Sequence, residues 1–416
     1  MKTIQRHIQP LVLKALKAFP VVYINGPRQA GKTTLVRELL ASQFPAKFIT
    51  FDDALELSAA TRNPLEYLRD AGMPLILDEV QMASAIFRPL KILVDEQRMA
   101  VLGSKRSANG HYLLTGSANL MVIPELANAM VGRMGTLTLL PLSAGEVMGR
   151  KPEFLQRCFA KDFSDIAPDK TPLTHIMTEA TFPELLQMPE NMKENWLKNY
   201  VQKITLEDPR HIYNLEKAEY MPVLLQSLAA RVGNLINDAS LGREVGLNAV
   251  TTRSYRGLLT STFITQYLRP WYRNITKRLV KSGKTYFHDT MLLCHMLGSM
   301  PQDMAKSQPQ RFGHVLENFV FSELEKANVL REKISISFYR TNDGREVDFV
   351  LEKQDKIVAI EVKHAEQVTD KDLAGIKELQ AVTGKDFVCG IVLCNTPRVI
   401  PYGKDIYLVP FSALWQ

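Results

Sequence analysis

Over the first third of the chain, short apolar runs alternate with stretches in which apolar positions recur every three or four residues. The runs Val21 to Asn25, Lys47 to Phe51, Pro74 to Leu77, His111 to Thr115 and Thr136 to Leu140 predict strands, and the periodic stretches between them predict helices. Apolar strands separated by helices form a parallel sheet covered on both faces, so residues 1–150 are expected to fold as an α/β domain. From Lys151 to about Tyr220 the pattern turns polar and helical with Pro and Asp punctuation, which predicts a helical linker or lid over 151–220. Residues 221–290 read as three helices and two strands, and residues 300–416 return to strands and helices, a compact α/β module.

Length and composition narrow this picture only a little. At 416 residues, 46% of them hydrophobic, the chain can bury more than one core. A formal charge of +7 admits a polyanionic partner without identifying one. Cys158, Cys294, Cys389 and Cys394 form no CxxC pair and no zinc set, so they are expected to be reduced and buried, in keeping with a cytoplasmic protein. Lys14 and Lys17 interrupt the N-terminal apolar pattern and no run of about eighteen apolar residues occurs, so neither a signal peptide nor a membrane span is expected.

The candidate chemistry begins where the first strand runs into GPRQAGKTT. Gly26, Pro27, Arg28, Gln29, Ala30, Gly31, Lys32, Thr33 and Thr34 satisfy GxxxxGK[ST] between a strand and a helical run, the context a phosphate-binding loop requires. Backbone N–H groups there cradle phosphates, Lys32 neutralises β/γ charge and Thr33 ligates magnesium, so a purine nucleoside triphosphate with Mg is the expected ligand. The strand of PLILDE ends in Asp78, which would hold the magnesium through water, and Glu79, placed to polarise a water attacking the γ-phosphate. HYLLTGS ends the next strand with Thr115 and Ser117, polar groups able to report the γ-phosphate or orient water. Arg133, ahead of the last strand, could supply charge in cis or to a neighbouring subunit's site, the latter requiring a ring or other homo-oligomer.

The strings GPRQAGKTTL, FITFDDA, LILDEVQMA, LLTGSANL and VGRMGTLTLLPLSAGE resemble the prokaryotic AAA-superfamily ATPases that bear an uncharacterised C-terminal domain. TFPELL, WLKNYVQKITLEDPR and KTYFHDTMLLCHMLG are similar to landmarks of that C-terminal domain, so the resemblance spans nearly the whole chain. It implies ATP as the nucleotide, with binding and hydrolysis carried by Lys32, Asp78 and Glu79. The stretch from Arg150 to His175 departs from the compact pattern of the family.

Between Glu244 and Asp289 there is no acid, while Arg253, Arg256, Arg269, Arg273, Lys277, Arg278, Lys281 and Lys284 all fall inside. The order of helix, helix, a turn at Gly246 to Asn248, the helix AVTTRSYRGLLTS and a strand predicts a helix-turn-helix with a wing. In that arrangement Thr251, Thr252, Arg253, Tyr255 and Arg256 would enter a DNA groove, with Arg273, Lys277, Arg278 and Lys281 on wing phosphates. The alternative is a protein-docking lid whose basic face meets an acidic neighbour.

Farther on, Glu317 falls on an amphipathic helix, Asp348 on a strand, and Glu361 and Lys363 on one face of the next. This ordered set looks like the PD-(D/E)XK, or restriction-endonuclease-like, fold, in which Asp348 and Glu361 would share a second magnesium and Lys363 would position a water. The alternative is a degenerate fold whose acids are satisfied by Lys363 and backbone donors. Three functional readings follow: an ATPase that moves or clamps a winged helix and nuclease-like domain on DNA, a nucleotide-dependent switch binding a protein partner, and an ATP-gated endonuclease.

Overall fold

The computed structural model describes residues 3–105, 107–117, 129–209, 215, 217–330, 334–365 and 367–416. The tail of the LLTGSANL string, residues 118–120, lies outside the described residues. The chain forms two compact units, one of Met1–Pro141 with Ser261–Phe263 and one of Leu142–Thr260 with Ile264–Gln416.

In the first unit the described residues form a five-stranded parallel sheet of β1 (Val21–Asn25), β2 (Lys47–Thr50), β3 (Leu75–Asp78), β4 (Tyr112–Gly116) and β5 (Met134–Thr138). Its order is β2-β3-β4-β1-β5. β1, β3 and β4 are buried at every position, as continuous apolar runs covered on both faces must be. The last strand begins two residues earlier than the apolar run predicted, because Met134 pairs with Val21 and sets the register. Parallel pairing brings Asn25, Asp78 and Gly116 to the same edge of the sheet. β4 lies between the loop-bearing β1 and the acid-bearing β3, so the two motifs stand two strand spacings, about 10 Å, apart.

In the second unit a hydrophobic core runs from Ala144 to Trp415, so the segments read as linker, helical module and C-terminal α/β module share an interior. The helices Met221–Ala229, Asp238–Val245 and Ala249–Ser261 and the hairpin of β6 (Thr265–Leu268) and β7 (Lys284–Phe287) follow the predicted order. A helix, Ile275–Val280, lies between the hairpin strands. Gly242 takes a close approach: a Cβ there would stand 2.7 Å from Thr252 Oγ1 and 2.5 Å from Leu247 O, so the two helices meet through a bare Cα. The long helix Pro309–Asn328 packs beside a six-stranded sheet of order β12-β13-β11-β10-β9-β8. Its strands are β8 (Ser335–Arg340), β9 (Glu346–Lys353), β10 (Lys356–Val362), β11 (Phe387–Cys394), β12 (Ile400–Gly403) and β13 (Ile406–Pro410). All four cysteines are buried and unpaired. No helix among the described residues is long and apolar enough to cross a membrane.

Candidate functional site

The loop after β1 turns on Gly26, whose φ of 148° and close packing leave no room for a side chain: a Cβ would lie 2.0 Å from Leu139 O. Gly31, at φ 91°, starts the helical turn Lys32–Thr34, and Gln29 and Thr34 face solvent. Lys32 is buried within the loop, its Nζ donating to Pro27 O at 2.8 Å and Gly26 O at 3.0 Å. Burial lowers its pKa to about 8, with Arg28 adding to the effect and Glu79 and Asp78 opposing it. An Arg6 that no motif announced braces the loop, donating to Ala30 O and Leu140 O at 2.6 Å each.

At the end of β3, Asp78 faces this loop. Thr33 Oγ1 donates to Asp78 Oδ2 at 2.9 Å, and Thr115 Oγ1 donates to Asp78 Oδ1. Burial raises the Asp78 pKa, Thr115 and Thr33 pull it back, and Glu79 pushes it further up. A hydroxyl and a carboxylate in contact are an all-oxygen donor pair, the chemistry magnesium prefers, with nucleotide oxygens and water as its other ligands. Glu79 follows at φ 56°, a left-handed conformation uncommon outside glycine. Gln81, which the sequence reading passed over, donates to Glu79 and to Ser117 Oγ at 3.1 Å. Thus Lys32, Thr33, Asp78, Glu79 and Ser117 gather at one sheet edge.

Arg133 does not join them within the chain. It precedes β5, and its carbonyl accepts from Val21 N at the start of β1, the opposite end of the sheet, five residues or about 16 Å from the loop. Its guanidinium is held by Asp95 through two bonds of 2.8 Å. The cis role is therefore corrected.

The basic module divides. Thr252 is buried against Gly242 with its hydroxyl on Asn248 O, Tyr255 is buried, and Arg256 is tied to Asp238 and stacked 4.0 Å over the Tyr267 ring. These three are framework rather than groove-facing groups, since helical spacing places 252, 255, 256 and 259 on the packed face. Arg278 is likewise committed to Glu352 and the Tyr272 carbonyl. Thr251 is half-buried, Arg253 and Arg273 are exposed while paired with Asp238 and Asp386, and Lys277 and Lys281 are exposed. Beside them Ile275, Leu279 and Val280 expose apolar side chains.

The acids of the C-terminal module do assemble. Asp348 N donates to Glu361 Oε2 at 3.4 Å, Asp348 Oδ2 accepts from Val362 N at 2.8 Å, and Lys363 Nζ lies 2.9 Å from Glu361 Oε1. Glu317 reaches the same place from the long helix, accepting from Tyr286 and, at 3.0 Å, from Lys284 Nζ. Burial and the neighbouring Glu361 and Glu317 hold the Asp348 carboxyl well above its usual range. Burial also pushes Glu361 to about 7 against the pull of Lys363. For Glu317 burial acts upward too, but Lys284 and its hydrogen bonds win and its pKa falls. Lys284, one of the eight cations counted between Glu244 and Asp289, is buried and also 2.5 Å from Glu346 Oε1. Among the described residues no group of three or more His, Cys, Asp or Glu side chains is disposed to hold a metal ion; Lys363 stands opposite Glu361 and Lys284 opposite Glu317.

Residues 18–148 match the family described as AAA domain, and the loop and acid motifs both lie inside the matched segment. Residues 171–303 and 312–414 match two families described as domains of unknown function, DUF8612 and DUF4143. The uncharacterized protein Rv2008c of Mycobacterium tuberculosis is 27% identical over 351 residues, covering 84% of this chain and 71% of its own. An uncharacterized protein of Haemophilus influenzae is 25% identical over 360 residues, covering 82% and 81%. Among solved structures, the Walker-type ATPase PABY2304 of Pyrococcus abyssi aligns with a TM-score of 0.42 at 14% identity, over 71% of this chain and 96% of that one.

Proposed function

We propose that the chain is a magnesium-dependent ATP hydrolase. The observation that carries this reading is the contact of Thr33 Oγ1 with Asp78 at 2.9 Å beside a glycine loop that holds Lys32; the AAA-domain match supports it. Lys32, released from the Gly26 and Pro27 carbonyls, pairs with the β/γ-phosphates, while loop N–H groups hold the remaining oxygens. Glu79 accepts a hydrogen bond from the attacking water and orients it, and Ser117 faces the γ-phosphate. A bound magnesium would be held by Thr33 and, through water, Asp78, and would neutralise charge developing between the phosphates.

The partner proposed for this cycle is DNA, engaged by the cations left exposed, Arg253, Arg273, Lys277 and Lys281. The exposed aliphatic side chains of Ile275, Leu279 and Val280 favour a second reading, a nucleotide-timed switch that docks a protein partner. An ATP-gated endonuclease has less support, because Lys284 and Lys363 pair with Glu317 and Glu361, two of the acids that cleavage would need.

The test is ATP hydrolysis by the purified chain with and without duplex, branched and single-stranded DNA, with Glu79→Gln as the inactive control. Stimulation that is lost in the control and fades with added salt supports a DNA-directed hydrolase. Turnover indifferent to DNA, with no DNA binding at low salt, overturns DNA as the partner and favours the protein switch. No turnover under any condition overturns the hydrolase reading itself.

A further inference from the structure

Gln81 stands two residues beyond Glu79, and its amide links two groups that the sequence separates by nearly forty positions. Its Nε2 donates to Glu79 Oε2 and, at 3.1 Å, to Ser117 Oγ, while its Oε1 accepts from Ser117 N at 3.2 Å. A primary amide has two N–H donors and one acceptor oxygen, and these three bonds match that inventory. The strand end is shaped around the amide: a Cβ on Gly116 would stand 2.7 Å from Gln81 Oε1 and 2.6 Å from the Tyr23 hydroxyl. Only a glycine lets Gln81 lie across the end of β4. Glu79, meanwhile, keeps its left-handed φ of 56°, a conformation that persists only where the surroundings hold it.

We infer that Gln81 is a positioning residue for hydrolysis, tying the Glu79 carboxylate to Ser117 so that the water-orienting group and the group facing the γ-phosphate move as one. This rests on the ATP-hydrolase reading above. Gln81 touches neither nucleotide nor water in this scheme and acts through Glu79. Without it the Glu79 carboxylate swings about its own torsions, and ordering it is added to the barrier of each turnover.

The test uses the full chain as parent, Gln81→Glu, Gln81→Ala, Glu79→Gln and the double variant Gln81→Ala/Glu79→Gln. Each is assayed for ATP turnover across nucleotide concentration and, separately, for equilibrium binding of a fluorescent ATP analogue. Gln81→Glu keeps the side chain's shape but replaces its donating NH₂ with an acceptor set against a second carboxylate. The expected result is a kcat lower by about 10- to 100-fold in Gln81→Glu, with KM and analogue affinity within about twofold of the parent. The double variant should bind the analogue as tightly as Glu79→Gln alone, because Gln81 acts only through Glu79 and touches no nucleotide. A Gln81→Glu kcat within about twofold of the parent, or a fall matched by equal loss of analogue binding, overturns the inference while Glu79→Gln still stops turnover and the hydrolase reading stands. A parent chain that binds the analogue and hydrolyses no ATP overturns both.

Discussion

The two acid-bearing sites of this chain differ in what stands opposite their carboxylates. At the end of β3, Asp78 faces the hydroxyls of Thr33 and Thr115. In the second unit, Glu317 and Glu361 face the ammonium groups of Lys284 and Lys363. Hydroxyls satisfy a carboxylate by hydrogen bonding and leave its charge uncancelled, so a cation still gains by approaching. An ammonium group supplies the charge itself. A motif of acids therefore says little about a metal until the neighbouring cations are placed: Lys284 and Lys363 pair with Glu317 and Glu361, while Asp348, like Asp78, is held above its ordinary pKa.

The largest effect that would break this contrast is the removal of Lys284. Lys284→Met leaves Glu317 buried beside Asp348 without its counter-ion, and loss of one partner of a buried pair costs about 3–5 kcal/mol. Thr33→Ala, which removes a hydroxyl donor to Asp78, should cost about 1–3 kcal/mol. Chemical unfolding of each variant measures the difference. A Lys284→Met chain as stable as the parent would mean that Lys284 does not neutralise the cluster.

Protonation sharpens the contrast further, with opposite readouts at the two sites. Glu361 is pushed from its ordinary 4.5 to about 7, so the folded chain keeps a proton that the unfolded chain has already lost. Its contribution to stability is full below pH 4.5 and is lost as pH rises through about 7. Glu361→Gln should flatten that part of a stability-against-pH curve, and an unchanged slope would place the proton elsewhere. Lys32 is lowered from 10.5 to about 8, so above pH 8 it must take up a proton to pair with phosphate. Nucleotide affinity should fall by up to about tenfold per pH unit above that point. Flat affinity from pH 7 to 10 would show that Lys32 is charged throughout.

What could be read from sequence was whatever the chain states locally. GPRQAGKTT and LILDE are contiguous, sit at strand ends, and need only the parallel sheet to bring them to one edge. Gln81 and Arg6 were missed because their partners lie 36 and 134 residues away and no short pattern links them. The basic module failed for a different reason, that counting charges ignored the direction each side chain takes. Thr252, Tyr255, Arg256 and Leu259 already carry the spacing of a packed helical stripe, and Lys284 opens a strand buried at all four positions. The acid cluster was found by order along the chain, but the lysine from the hairpin that neutralises it was counted in another module.

Arg133 should give the smallest effect, and it decides whether the first site is complete in one chain. Its pair with Asp95 is partly exposed, 20% and 43% for the two side chains, so losing it should cost about 1 kcal/mol or less. Because Arg133 lies at the far end of the sheet from its own chain's loop, Arg133→Ala should leave ATP turnover within about threefold of the parent, and adding Lys32→Ala subunits should not raise it. The contrary result is specific. Turnover abolished in Arg133→Ala with nucleotide binding intact, then partly restored by mixing with Lys32→Ala, requires one subunit's arginine to enter another subunit's site. The nucleotide site would then belong to an assembly of chains, and its demand for positive charge would be met partly by a neighbour, as Lys284 meets it for the acids of the second unit.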